Sequence, residues 1–210
     1  ARPVGSAVDA TGALLMSDDV NNTLYRVAYG SSAGTPAPQQ LASDIFAQAP
    51  ATIAVRSSAF GSGGAIPKKF TAWGNDRSPP LQWNGAPTGT KSFVLLMEDP
   101  DAIAPLPFVH WAAVNIPANT TSLPEDIRKT FWVRDSIQQG TNSISRTGYF
   151  GPRPPPGDPA HRYHFQLFAL DTTLNLPTGF NRQALLKAMQ DHVLAQGVVI
   201  GTYQQPNTVQ

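Results

Sequence analysis

A chain of 210 residues, 41% hydrophobic and only 14% charged, is long enough for one well-cored domain with something extra and short for two full ones. Its net charge of +1, with no Lys/Arg cluster, excludes a nucleic-acid-binding face, and no apolar run approaches the roughly 18 residues of a transmembrane segment. The absence of cysteine excludes disulfides, thiolate nucleophiles and Cys-ligated metals, while 20 prolines and 17 glycines favour a turn-rich, mostly β fold.

In chain order, residues 4–30 read as a β meander. VGSAVDA is a first strand, turning at Ala10-Thr11-Gly12. ALLMS is a second, turning through Asp18, Asp19, Asn21 and Asn22. TLYRVAY is a third, with Leu24, Arg26 and Ala28 on one face and Tyr25, Val27 and Tyr29 on the other. That aromatic face needs a cover, expected from a neighbouring chain, in a homo-oligomer through residues 1–30, or from the domain surface. Residues 31–51 read as a linker with a short helix, on which Leu41, Ile45 and Phe46 share a face.

Residues 52–210 read as one β-rich domain. IAVRSSAF, KSFVLLME, FVHWAAVNI and RYHFQLFAL are its clearest strands. One helix follows, capped by Asn181, with Leu185, Leu186, Met189, Val193 and Leu194 as its apolar stripe and Gly197 as its end. VVIGTY is the last strand.

Two polar constellations stand out. Asp99 and Asp101 lie two apart after an apolar strand and point to one side of an extended chain. His110 lies in the next strand, sharing a face with Phe108, Ala112, Val114 and Ile116, and the aspartates are its expected partners. These residues alone leave open a binding site or a satisfied core histidine beside two turn aspartates. The second constellation, GYFGPRPPPGDPAHRYHF, is a stiff Pro/Gly loop feeding a strand on which His161 and Tyr163 share a face. It reads as either scaffold or site. Gly61-Ser62-Gly63-Gly64 lacks the second flank of a GxSxG elbow, and no HExxH, Walker or dinucleotide motif occurs, so hydrolase and nucleotide-enzyme readings lack support.

SPPLQW, GTKSFVLLMEDPDA, FVHWAAVNIP, GYFGPRPPPG, HRYHFQLFALD and GTY occur in the order and spacing of the phosphatidylethanolamine-binding proteins. Residues 52–203 resemble the bacterial Raf-kinase-inhibitor-like branch of that family. The resemblance implies a central antiparallel sheet with a smaller sheet and a few helices. It also implies a pocket for a small anion, such as phosphate, a phospholipid headgroup or a carboxylate, with no catalysis, cofactor or metal. Carried over by motif, the pocket residues are Asp99, Asp101, Phe108, His110, Gly151, Pro155, His161 and Tyr163. His110 and His161 would act as cations or N–H donors, loop amides would donate to the anion, and Tyr163 would supply its hydroxyl.

Ile103 stands where the family has a proline, and Arg153 where it has a small residue; Arg153 would either strengthen anion binding or plug the mouth, and it joins the expected ligand set on the first reading. The chain stops soon after Tyr203, which implies a pocket without the C-terminal helix of the animal branch. Residues 1–30 resemble the last blade of a sorbosone-type quinoprotein sugar dehydrogenase. Alternative readings are therefore the C-terminal portion of such a dehydrogenase fusion and, on residue chemistry, a metal-assisted hydrolase using Asp99, Asp101, His110 and His161. The start at Ala1 suits a processed terminus and a periplasmic or secreted protein, with the cytoplasm as alternative.

Overall fold

The computed structural model describes residues 39–133 and 136–207 in full, and the backbone of three strands within residues 1–38. These strands, β1 (Pro3–Val8), β2 (Leu14–Asp18) and β3 (Thr23–Val27), pair antiparallel in the order β1-β2-β3. The expected turns between them and the stretch from Ala28 to Pro38 lie outside the described residues. The chain divides into two compact units, residues 1–38 and 39–210.

In the larger unit the elements are α1 (Ala42–Ile45), β4 (Ala54–Arg56), β5 (Leu81–Asn84), β6 (Ser92–Asp99), β7 (Phe108–Pro117), β8 (Ser122–Leu123), β9 (Trp132–Val133), β10 (Ile137–Gln139), β11 (His161–Leu170), α2 (Arg182–Met189) and β12 (Val193–Tyr203). A six-stranded antiparallel sheet runs β12-β11-β6-β7-β10-β9, and a three-stranded sheet runs β4-β5-β8. The fold is mostly β, with few helices.

β6 shows why the large sheet lies in the middle. All eight of its residues are buried, and its apolar run does not alternate because both faces are covered. Phe93, Leu95 and Met97 join Phe165, Leu167, Trp111, Leu81 and Trp83 in the core under the small sheet. Val94 and Leu96 join Phe168, Leu170, Leu185 and Met189 in a second core under α2. Burying each such side chain contributes roughly 1.5–3 kcal/mol. The two cores bind three layers together and leave the ends of the central strands free to carry loops.

Several elements differ from the sequence reading. IAVRSSAF is a strand only over Ala54–Arg56. The Ser57 hydroxyl then donates to Pro80 O (2.7 Å) and accepts from Ala59 N (3.1 Å), and this local turn ends the strand. The main helix starts as expected, with Asn181 Oδ1 accepting from Ala184 N at 3.0 Å, but it stops at Met189. Asp191 takes φ +64°, and Val193 and Leu194 belong to β12. Gly197 therefore lies within a strand. A Cβ there would sit 1.9 Å from Ile53 O, so only glycine lets the 50–53 backbone approach β12. Leu41 and Ala42 are buried at α1, whereas Ile45 is exposed. Residues 39–51, read from sequence as the end of a linker, are hydrogen-bonded into the larger unit: Ala42 N donates to Glu98 Oε2 (2.9 Å) and Ser43 N to Gln166 Oε1 (2.7 Å).

Candidate functional site

The candidate site lies at the end of the large sheet where β6 finishes and β7 and β11 begin. In register, Asp99 faces Phe108 across β6 and β7, and His164 faces Glu98 across β6 and β11. On β6, Asp99 follows Met97 on the small-sheet face. On β11, His161 and Tyr163 follow Phe165 on that same face. Alternation thus delivers Asp99 and His161 together.

His110 arrives there by a bulge. Trp111 pairs with Met97 and Val109 with Glu98, so His110 is an extra residue in β7. Its face is therefore not that of Ala112 and Val114, as plain alternation predicts; those two pack in the core beneath α2. Its partner also differs from the expected aspartates. His110 Nδ1 lies 2.6 Å from Phe150 O, and its Nε2 lies 4.0 Å from Asp99 Oδ2, beyond hydrogen-bonding distance. The ring stacks on Phe150 (5.7 Å between centroids, 5° between planes), meets the edge of Tyr163 (5.1 Å) and touches Phe108 (4.7 Å). Burial holds its pKa down to about 4, so the imidazole is neutral near pH 7. The expected cationic role therefore does not apply to His110.

Asp99 is the hub. Its Oδ1 accepts from the amides of Asp101 (2.8 Å) and Ala102 (3.2 Å), an Asx turn that starts the 100–107 loop. Its Oδ2 accepts from His161 Nδ1 at 2.8 Å. Burial raises its pKa, opposed chiefly by the hydrogen bond from His161. His161 Nε2 lies 3.7 Å from Asp158 Oδ2.

These groups line a cleft of about 230 Å³ with Ala102, Ile103, Phe108, Phe150, Arg153, Pro154 and Pro155. That is below the roughly 300–1,000 Å³ of a drug-sized pocket and suits a small group. Arg153 holds its guanidinium 5.2 Å from the ring centre of Trp73, whose indole N–H donates to Pro154 O (3.2 Å).

Of the nine residues expected at the site, Asp99, Phe108, His110, Arg153, Pro155 and His161 line this cleft. Asp101 turns away, accepting from the Arg162 side chain and backbone amide, and that partner lowers its pKa despite burial. Gly151 offers no free amide, because its N–H donates to Asp76 Oδ1 (2.6 Å). A Cβ there would meet Phe70 O at 2.4 Å, so the residue serves a close backbone approach. Tyr163 is fully buried beneath the two imidazoles, its pKa raised by burial, and its hydroxyl makes no hydrogen bond of ordinary geometry.

Sequence reasoning missed Phe150 and Asp158. Both lie within the Pro/Gly constellation, and Asp158 stands three residues before His161. No sequence signal marks the Phe150 carbonyl as the partner of His110. Among the described residues, no group of three or more His, Asp or Glu side chains has the geometry of a metal centre. No helix among them is long and apolar enough to cross a membrane.

An antiparallel β protein with a His/Asp cleft at the end of its central sheet is the class that fold and site define. The sequence model of the phosphatidylethanolamine-binding protein family matches residues 56–204, and the chain belongs to that family. The UPF0098 protein of Aquifex aeolicus is 44% identical over 162 residues, covering 76% of this chain and 93% of that protein. The UPF0098 protein of Methanothermobacter thermautotrophicus is 41% identical over 150 residues, covering 71% and 97%. Among solved structures, a phosphatidylethanolamine-binding protein homologue of Chlamydia trachomatis superposes with a TM-score of 0.67 at 34% identity, covering 73% of this chain and 98% of that one. Escherichia coli YbcL, described as a member of the mammalian family, superposes with a TM-score of 0.69 at 30% identity, covering 73% and 99%.

Proposed function

We propose that the larger unit is a non-catalytic binding module for a small anionic group, with phosphate and phosphate-bearing headgroups as its first candidates. The observation that carries this reading is the cleft itself. It sets Arg153 and the outer edge of His161 against walls of Phe108, Phe150, Pro154 and Pro155, a small apolar recess with few polar groups. Arg153 supplies permanent positive charge, and Ile103 and Ala102 rim the opening. The name of the family, whose members are described as binding phosphatidylethanolamine, supports the same ligand chemistry.

The reading is non-catalytic because the partners of the two histidines are a backbone carbonyl and carboxylates. No hydroxyl nucleophile stands among them, and a nucleophile paired with a base is what acyl or phosphoryl transfer requires. The metal-assisted alternative lacks a ligand cluster among the described residues.

The test is titration of the 210-residue chain with inorganic phosphate and phosphoethanolamine, followed by calorimetry and by the NMR signals of His110 and His161. Saturable binding that moves both imidazoles is expected. Unmoved signals at millimolar ligand would remove the reading. The three antiparallel N-terminal strands favour a second reading for residues 1–30 alone, as a blade remnant of a sorbosone-type dehydrogenase fusion. Blade repeats encoded upstream of Ala1 would support it, and a coding region without them would remove it.

A further inference from the structure

We propose that the cleft accepts its anion only in a protonated form, so that a hydrogen phosphate or phosphate monoester binds while a sulfate ester of the same shape and charge is refused. This rests on the anion-binding reading and adds to it the protonation state of the ligand.

The argument is a count of donors and acceptors. Phe150 O lies 2.6 Å from His110 Nδ1, and a carbonyl oxygen only accepts, so Nδ1 carries the proton. In a neutral imidazole the other nitrogen is then an acceptor, and His110 Nε2 presents a lone pair. The ring is clamped by Phe108, Phe150 and Tyr163. Beside Nε2, at 4.0 Å, stands Asp99 Oδ2, a second acceptor. The proton of His161 Nδ1 occupies part of that oxygen, and two backbone amides fill Oδ1. The floor of the cleft thus offers two neighbouring lone pairs and no side-chain N–H between them. A fully deprotonated oxyanion would set a third lone pair against these two, whereas a ligand O–H would donate to one of them.

His110 does not readily supply the missing proton itself. Burial outweighs the favourable pull of the Phe150 carbonyl, of Asp76 and of the Gly151 backbone, and His161 opposes protonation. With a pKa of about 4 the cation is roughly one part in a thousand at pH 7. The remaining charged neighbours are Asp99, Asp158 and Arg153. Of these, Arg153 answers the ligand's charge and leaves the floor to answer its proton. Among tetrahedral oxyanions, phosphate monoesters keep an O–H below a second pKa of about 6, which sulfate esters lack.

Methyl phosphate and methyl sulfate isolate that difference. At pH 5.5 both are predominantly singly charged and nearly identical in shape, and they differ by one O–H. Calorimetric titration of the full chain is expected to give an affinity for methyl phosphate about tenfold or more above that for methyl sulfate. Raising the pH to 8 removes the ligand proton and doubles its charge, and binding is expected to weaken although Arg153 favours the dianion. In the complex, ¹⁵N NMR should find His110 Nε2 unprotonated. Equal affinities for the two esters would overturn the proton requirement and leave the anion reading standing. Tighter binding of methyl phosphate at pH 8, or a protonated Nε2 in the complex, would also overturn it. Binding of neither ester would overturn this inference and the anion reading together.

Discussion

His110 is the residue whose chemistry most departs from its type, and the departure has a measurable sign. The unfolded chain takes up a proton at this imidazole as pH falls below the ordinary value of 6.5, while the folded chain does so only near 4. Stability tied to this ring is therefore present at neutral pH and lost as pH falls from about 6.5 to 4, by up to about 3 kcal/mol. Asp99 works the other way just above its ordinary 3.8, because its folded pKa is raised and the folded state binds that proton first. Urea unfolding of wild type and His110→Gln at pH 7.0 and 4.5 separates the two, since the Asp99 contribution remains in the variant. The wild type should lose more stability on acidification than the variant. Parallel losses would mean that the ring is already charged in the folded state. Tyr163 gives a second expectation. Its buried hydroxyl interacts with the Arg153 backbone outside ordinary hydrogen-bond geometry, so Tyr163→Phe removes a poorly paired polar group and should leave stability within about 1 kcal/mol or raise it. A loss beyond 2 kcal/mol in the same urea assay would reveal an essential bond at that oxygen.

At the level of elements, strands were legible from sequence where burial was uniform or alternation unbroken. SFVLLMED reads as a strand because both its faces are covered, and alternation in HRYHFQLFAL places His161 and Tyr163 on one side as found. The errors fall where one residue breaks the period. The bulge at His110 transfers the imidazole between faces, and nothing in FVHWAAVNIP announces it. Strands of two or three residues, β8 to β10, carry too little pattern to be seen. Gly197 was misread because a glycine after an apolar helical stripe signals a helix end, whereas here it makes room for a neighbouring backbone. That correction can be tested against a control. Gly197→Ala puts a methyl 1.9 Å from Ile53 O, a backbone atom held in place by the hydrogen bonds of residues 50–53 with Gln196. It should cost about 3 kcal/mol or more. Gly89→Ala, at φ +92° with its nearest outside atom 4.0 Å away, carries mainly the conformational penalty of about 1–2 kcal/mol. Equal losses in denaturant unfolding would remove the close-approach explanation.

At the scale of the whole molecule, the described residues that line the cleft belong to residues 39–210. Both buried cores lie within that unit, and the family match spans 56–204. Residues 1–38 form a separate unit whose three strands pair in the order β1-β2-β3. A three-stranded sheet of five- and six-residue strands is near the lower limit of independent stability. The sequence alternation of Tyr25, Val27 and Tyr29 carries the expectation of an apolar face that would need a cover. These two points make opposite demands on a deletion. Removing residues 1–38 should leave the fold and the methyl phosphate affinity of the larger unit intact. If the meander is covered by a second copy, the deletion should also reduce the mass measured by light scattering from an oligomer to a monomer. Loss of anion binding in a truncated protein that still unfolds cooperatively would show that the first segment contributes to the cleft. Unchanged mass, stability and solubility would leave the segment without a role in assembly and remove the self-association expected of it.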